Sequence, residues 1–342
     1  MTAAGFAWGH ALTQLIAGES LSEGDSAAAM AEIMEGAATA AQIAGFVVAL
    51  RAKGVSADEL AGLVRVMRSY GRTVAAPDDV LDTCGTGGDR TGTFNVSTAA
   101  AVVCAGAGVK VAKHGNRAAS SRCGSADVLE ALGVRIDLPP EGVAACIASA
   151  GIGFCFAPVF HPAMRHAAAP RRELGIATIF NFLGPLTNPA GARHQALGVS
   201  DPAMVGVMVE TLRRLGSERV LAFVGHGGLD ELSITGPSEV TELAGGTVAR
   251  WTLDPRRLDI PPAGLDEVAG YTPEHNAKTI RRVVEGESGP PRDIVVLNAA
   301  AGLVAAGRAA SISEGMSLAT SAVDGGAAAA CLDALVAISN SL

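Results

Sequence analysis

Four stretches gather the residues able to do chemistry. Residues 81–98, LDTCGTGGDRTGTFNVST, run an apolar start into Gly85, Gly87, Gly88 and Gly92 ahead of a helical segment. Glycines let the backbone approach a ligand, and successive N–H groups at a helix start make a pocket for phosphate. No Gly-Lys-Ser/Thr closes the stretch as in a Walker A loop, and Arg90 stands where the third glycine of a dinucleotide fingerprint belongs. It reads as a phosphate loop of another kind, the alternative being a glycine-rich turn packed for steric reasons. Residues 113–133 place Lys113, His114, Asn116, Arg117, Ser120, Ser121 and Arg122 within ten positions. These are cationic and hydroxyl donors suited to a diphosphate; the alternative is a solvated loop ahead of a helix capped at Ser125. Residues 161–189 carry adjacent Arg171 and Arg172 in a helical stretch before a Gly-Pro turn. One planar fork suits a substrate carboxylate while the other meets Glu173 or solvent, and spacing does not choose between them. In 227–233, GGLDELS, Asp230 and Glu231 are side by side. They are either solvated or hard oxygen ligands for Mg²⁺, which binds one or two carboxylates together with substrate phosphates.

The elements that must position these stretches follow from periodicity. Residues 1–72 read as helices only, with apolar residues recurring at three and four positions. Ser56 followed by Glu59 is a capping box, and Gly54 and Gly71 suit left-handed helix ends. After Pro77, short β-prone runs at 80–83, 109–113, 134–137, 153–156, 196–199 and 220–224 alternate with helical stretches, which predicts an α/β fold with a mostly parallel sheet. From 274 onward the pattern is helical again, clearest at 298–306 and 314–323. The expected division is a small helical subdomain, 1–72, joined by helices from about 165–190, and an α/β catalytic domain, 73–342.

Composition bounds the function. A chain of 342 residues is long enough for two domains, and its 42 glycines, about 12%, exceed an average near 7%. A net charge of −8 argues against a broad footprint for nucleic acid or an anionic membrane, so any anionic ligand is held locally. The six cysteines contain no C-x-x-C pair and read as reduced thiols. The start MTAAGFAWGHALTQL lacks a basic leader and the small-residue run at 99–109 is too short to span a bilayer, which makes a cytoplasmic protein the expectation.

In order along nearly the whole chain, GTGGD, NVST, KHGNRA, GSADVLEALG, HPAM, RRELG, NFLGPLTNP and GLDE resemble the anthranilate phosphoribosyltransferase family, and NAAAGLVAAG from Asn298 is similar to its C-terminal region. The resemblance implies a nucleoside-phosphorylase-like transferase fold. It also implies transfer of phosphoribose from 5-phosphoribosyl 1-diphosphate to the amine of anthranilate, the second step of tryptophan biosynthesis from chorismate. By the same resemblance Gly85, Gly88, Asp89, Thr93, Asn95, Val96, Ser97 and Thr98 hold the phosphoribosyl diphosphate. Lys113, His114, Gly115, Asn116, Arg117, Ala118, Ala119, Ser120, Ser121 and Ser125 continue that site. Gly85, Asn116 and Arg171 match positions that meet anthranilate, while Ser97, Asp230 and Glu231 match the metal site, with two Mg²⁺ ions per subunit. A homodimer paired through the helical region is implied too.

No covalent nucleophile or obligate base is required, because an aromatic amine is already neutral. Three features depart from the family: Arg122 and Cys123 replace a common Lys-Ser, AAAP at 167–170 replaces a VAPV-like run, and the GHGGLDE loop is about two residues shorter. Two rival readings remain open at this point, a pyrimidine nucleoside phosphorylase and a non-catalytic relative binding nucleic acid. The acidic chain and the KHGNR, GTGGD and GLDE motifs disfavour both.

Overall fold

Four helices open the chain: α1 (Trp8–Ile16), α2 (Glu23–Glu35), α3 (Ala40–Lys53) and α4 (Ala57–Ser69). The computed structural model describes residues 6–118 and 122–342, so Ala119, Ser120 and Ser121 of the expected diphosphate loop lie outside the described residues. Helix α4 buries Leu60, Leu63, Val64 and Met67, a stripe at three- and four-residue spacing. The capping box at its start is present, and it does more than cap. Buried Glu59 accepts from Ser56 N at 2.8 Å, from Leu21 N at 2.9 Å and from Lys53 Nζ at 2.9 Å. One carboxylate thus ties the start of α4 to the end of α3 and to the segment leading into α2, and its three donors offset the cost of burying the charge. Gly54 has φ +87° after α3. Gly71, in contrast to the expectation, is not left-handed; α4 ends on Tyr70, and Gly71 packs where a Cβ would lie 3.1 Å from His161 Nδ1.

The remainder is built around a seven-stranded sheet in the order β3-β2-β1-β4-β5-β6-β7. Strands β1 (Leu81–Gly85), β2 (Val111–Gly115), β3 (Ile152–Phe156), β4 (His194–Gly198) and β5 (Arg219–Val224) are parallel. Their crossovers run through α5 (Val96–Gly106), α6 (Ser125–Ala131) and α7 (Pro140–Ala150), then α8 (Ala157–Phe160), α9 (Arg165–Leu174), α10 (Phe180–Leu183) and α11 (Pro202–Arg214). Helices α12 (Pro273–Val284), α13 (Pro290–Ala305), α14 (Ile312–Asp324) and α15 (Ala327–Ser341) complete the chain. Covered on both faces, the parallel strands carry nearly continuous buried runs, as such sheets require. One apolar cluster joins the sheet to α5, α13, α14 and α15; a second joins α1–α4 to α11 and to residues 179–186.

Two expectations about strands are corrected. Residues 134–137 form no strand. Val134, Ile136 and Leu138 are buried with the alternation of a strand, but Arg135 N donates to Ser339 Oγ on α15 instead of to a neighbouring strand. The hairpin β6 (Ser238–Ala244) and β7 (Thr247–Leu253) is absent from the expected strands, although the sequence carries its signal. Gly245 and Gly246, at φ +56° and +78°, supply the two left-handed positions that a tight hairpin turn needs. Among the described residues no single helix is long and apolar enough to cross a membrane.

Candidate active site

The chemistry-bearing stretches converge at the carboxyl ends of the parallel strands, where open α/β sheets bind ligands. Sequence order reverses between β1 and β4, whose last residues, Gly85 and Gly198, are partners in register. Both must be glycine for one reason: a Cβ on Gly85 would overlap the Asp230 carboxylate, and one on Gly198 the Asp230 backbone. The loop after β5 is pinched shut by Gly225 N donating to Leu229 O at 2.7 Å, which delivers Asp230 and Glu231 into that crevice.

Asp230 Oδ2 accepts from Gly87 N at 2.7 Å, and Glu231 Oε1 accepts from Ser97 N at 3.1 Å, so each carboxylate holds one end of the glycine-rich loop. Lys113 Nζ donates to Thr83 O at 2.6 Å and lies 3.4 Å from Ser97 Oγ. Burial, then the charge of Asp89, pushes Asp230 up to about 7; burial, then Asp230, raises Glu231 as well. Burial lowers Lys113, against the pull of Asp82, Cys84, Glu231 and Asp230. Burial and mutual repulsion therefore disfavour the ionised form of both carboxylates, a cost that a divalent cation between them would relieve. No group of three or more His, Cys, Asp or Glu with metal-holding geometry occurs among the described residues. Two carboxylates and a serine are an incomplete shell, which suits Mg²⁺, an ion that keeps waters and takes phosphate oxygens.

A buried carboxylate, Asp82, which the motifs do not single out, sets up Lys113. Strands β1 and β2 share a single register pair, Leu81 with Val111, and then part. The freed backbone groups are satisfied by side chains: His114 N donates to Asp82 Oδ1 at 3.2 Å, Asn188 Nδ2 to Ala112 O at 2.8 Å, and Lys113 Nζ to Thr83 O. The opened seam gives Lys113 its course between the strands toward Ser97.

A cavity of about 1110 Å³ joins these groups. It is lined by Gly85, Gly88, Asp89, Thr93, Asn95, Ser97, Thr98, Lys113, His114, Gly115, Asn116, Arg117, Ala118, Ser125, Arg171, Asp230 and Glu231. Val96 is not among the lining residues; it is buried in the core as the first residue of α5. Arg117 points its guanidinium at Asp127 (3.0 Å) and Glu130 (2.5 Å), so its charge is already paired. Ser125 is the first residue of α6 and not its cap; Gly124 holds that place, with its N–H on Asp127 Oδ2 at 2.9 Å. Arg171 faces the cavity from α9 with its guanidinium 5.4 Å from the centre of the Phe180 ring, and among the described residues it has no ion pair. Arg172 and Glu173 are exposed and do not line the cavity, so of the two arginines Arg171 is the one available to it. Pro170 lies inside α9 without removing Arg171 from it.

Other lining residues carried no assignment from the sequence. His161 and Pro185 lie within recognised motifs, whereas Tyr271 and Asn276 have no motif to announce them. His114 and His161 have ring centres 5.1 Å apart; His114 Nδ1 is 3.0 Å from Gly184 O, and His161 Nε2 is 3.0 Å from Thr187 O.

A sheet of this order beneath a helical bundle, with a glycine loop and paired carboxylates at the strand ends, defines a class, a two-part glycosyl transferase. The family's a/b domain matches residues 77–329 and its helical bundle domain residues 10–71. The anthranilate phosphoribosyltransferase of Moorella thermoacetica is 53% identical over 327 residues, covering 95% of this chain and 96% of the relative. A crystal structure of anthranilate phosphoribosyltransferase from Thermus thermophilus superposes with a TM-score of 0.91 at 45% identity, covering 96% of this chain and 99% of that one. The Saccharomyces cerevisiae enzyme in complex with PRPP (5-phosphoribosyl 1-diphosphate) and Mg gives 0.89 at 28% identity, with 98% of each chain covered. The chain belongs to the anthranilate phosphoribosyltransferase family.

Proposed function

We propose that this chain transfers the phosphoribosyl group of 5-phosphoribosyl 1-diphosphate to the amine of anthranilate, giving N-(5-phosphoribosyl)anthranilate and diphosphate in tryptophan biosynthesis. The observation that carries the reading is the convergence of Lys113, Ser97, Asp230 and Glu231 on one end of a cavity that also holds Arg171, which has no ion pair among the described residues. The phosphate loop and Lys113 bind the diphosphate. Lys113 has three N–H donors, of which two face Thr83 O and Ser97 Oγ, leaving the third for a phosphate oxygen. Arg171 presents its fork to the anthranilate carboxylate. The amine is neutral and needs no base of its own; rate comes from holding it in line with C1 of the ribose and from stabilising charge on the departing diphosphate. Mg²⁺, held at Ser97, Asp230 and Glu231 as two ions per subunit, supplies further positive charge to that leaving group.

The same reading divides the chain into a helical subdomain, 1–72 with additions from 165–190, and an α/β catalytic domain, 73–342. It places the helical part at a homodimer interface and the protein in the cytoplasm. The test is direct: purified protein with anthranilate, phosphoribosyl diphosphate and Mg²⁺ should quench anthranilate fluorescence, and withholding Mg²⁺ should slow the loss. Unchanged fluorescence with folded protein would sink the proposal.

A further inference from the structure

Asn276 is buried on the first turn of α12 and has no place in the reaction as so far described. Its Oδ1 accepts from Tyr271 N at 2.8 Å and its Nδ2 donates to Asn95 Oδ1 at 3.0 Å. Asn95, immediately before α5, in turn donates from Nδ2 to Cys123 O at 3.1 Å. Both amides are oriented unambiguously, because the ends of the relay have one role each: the Tyr271 N–H can only donate and the Cys123 carbonyl can only accept. The relay runs from α12, through the end of the first phosphate loop, to the far end of the loop that begins at Lys113.

The backbone around it makes the same connection. Phe94 N donates to Val268 O at 3.0 Å, Gly270 N donates to Gly92 O at 2.7 Å, and Thr93 and Ala269 form an antiparallel bridge. Gly270 is pressed so closely that a Cβ would lie 2.8 Å from Phe94 Cα. The segment therefore packs as a brace along the phosphate loop, and Tyr271, against His275 at 4.8 Å, forms part of the cavity wall.

We propose that Asn276 is a positioning residue that locks the two phosphate-holding loops in register through Asn95, so that both meet the phosphoribosyl diphosphate together. The proposal rests on the functional reading above. It predicts a larger effect on phosphoribosyl diphosphate than on anthranilate: of the positions matched to anthranilate, Arg171 is held by α9 and Gly85 by β1, and Asn116 alone stands on a braced loop, at the end away from the Cys123 contact.

The variants are Asn276→Ala, which removes the bonds to Tyr271 and Asn95, and Asn276→Asp, which keeps the acceptor for Tyr271 N but cannot donate to Asn95 Oδ1 when ionised. Each should raise the KM for phosphoribosyl diphosphate by about 5- to 10-fold, the effect of one or two lost hydrogen bonds, while the anthranilate KM stays within about 2-fold. In Asn95→Ala/Asn276→Ala the effect should be no larger than in the more affected single variant, because both residues serve one relay. An equal rise in both KM values, additive effects in the double variant, or an unchanged KM for phosphoribosyl diphosphate in Asn276→Asp would each overturn it. Should Asn276→Ala fail to fold, as its thermal melt would reveal, Asn276→Asp carries the measurement. Should the unmodified protein form no product, the functional reading fails, and the brace is still read by hydrogen exchange. Amides of 92–98 and 122–125 should then exchange faster in Asn276→Asp, and unchanged exchange would refute the brace itself.

Discussion

Arg171 illustrates what a residue type can and cannot announce. Two adjacent arginines are visible in the sequence, but which one faces the cavity depends on the phase of a helix and on Phe180, a residue nine positions away. Burial lowers the Arg171 guanidinium, a desolvation that a substrate carboxylate would offset. Arg171→Ala is accordingly expected to raise the KM for anthranilate by about 10- to 100-fold with the phosphoribosyl diphosphate KM within about 3-fold, read from steady-state kinetics. A matched rise in both would remove Arg171 from the carboxylate site. Arg117 is the converse case: its position in KHGNR places it among the donors, yet Asp127 and Glu130 sit on the next helix and take its charge. Asp82 is silent in the sequence because an aspartate near a strand start is ordinary until a parting of two strands gives it a backbone N–H to bind.

At the scale of elements, β2 and the segment leading into α9 meet through two histidines. Burial, helped by His161, brings His114 down to about 3, and burial brings His161 down to about 4, both from an ordinary 6.5. The folded values lie below the unfolded one, so between them the unfolded chain binds more protons and stability rises with pH. The contribution is complete above about pH 6.5 and is lost as pH falls toward 4, each imidazole adding up to about 1.4 kcal/mol per pH unit. The buried carboxylates Asp82, Asp230 and Glu231, whose values are raised, act in the opposite sense, so the informative measurement is a comparison. His161→Gln should flatten the fall of Tm between pH 7 and pH 5 relative to the unmodified protein. An identical slope would show that His161 is not held neutral. Other elements were legible to differing degrees. The five parallel strands stand out because burial on both faces gives short apolar runs, whereas 134–137 mimics a strand because a buried loop can alternate without a neighbour to pair with.

For the whole molecule, the helical part leaves apolar side chains in solvent: Ile16 is 79% exposed, Val48 40%, Tyr70 37%, and Ile176, just beyond α9, 55%. These are side chains that a second subunit would cover in the proposed homodimer. Light scattering should give the mass of two chains, and Val48→Glu should shift it toward one; a single-chain mass for the unmodified protein at micromolar concentration would exclude the dimer. The sequence alone determined the class of fold, the glycine-rich loop, the adjacent carboxylates and the capping box at Ser56 and Glu59, because each depends on local spacing: a strand period, a glycine run, a box of Ser and Glu three apart. Only the tertiary structure decided which donors remain free and which are already paired, why Gly85 and Gly198 must lack side chains, and that Asp82 bonds the backbone of His114 and Asn276 the side chain of Asn95. Those outcomes depend on what another segment, far along the chain, brings to within hydrogen-bonding distance, and that is set by how the sheet and helices pack.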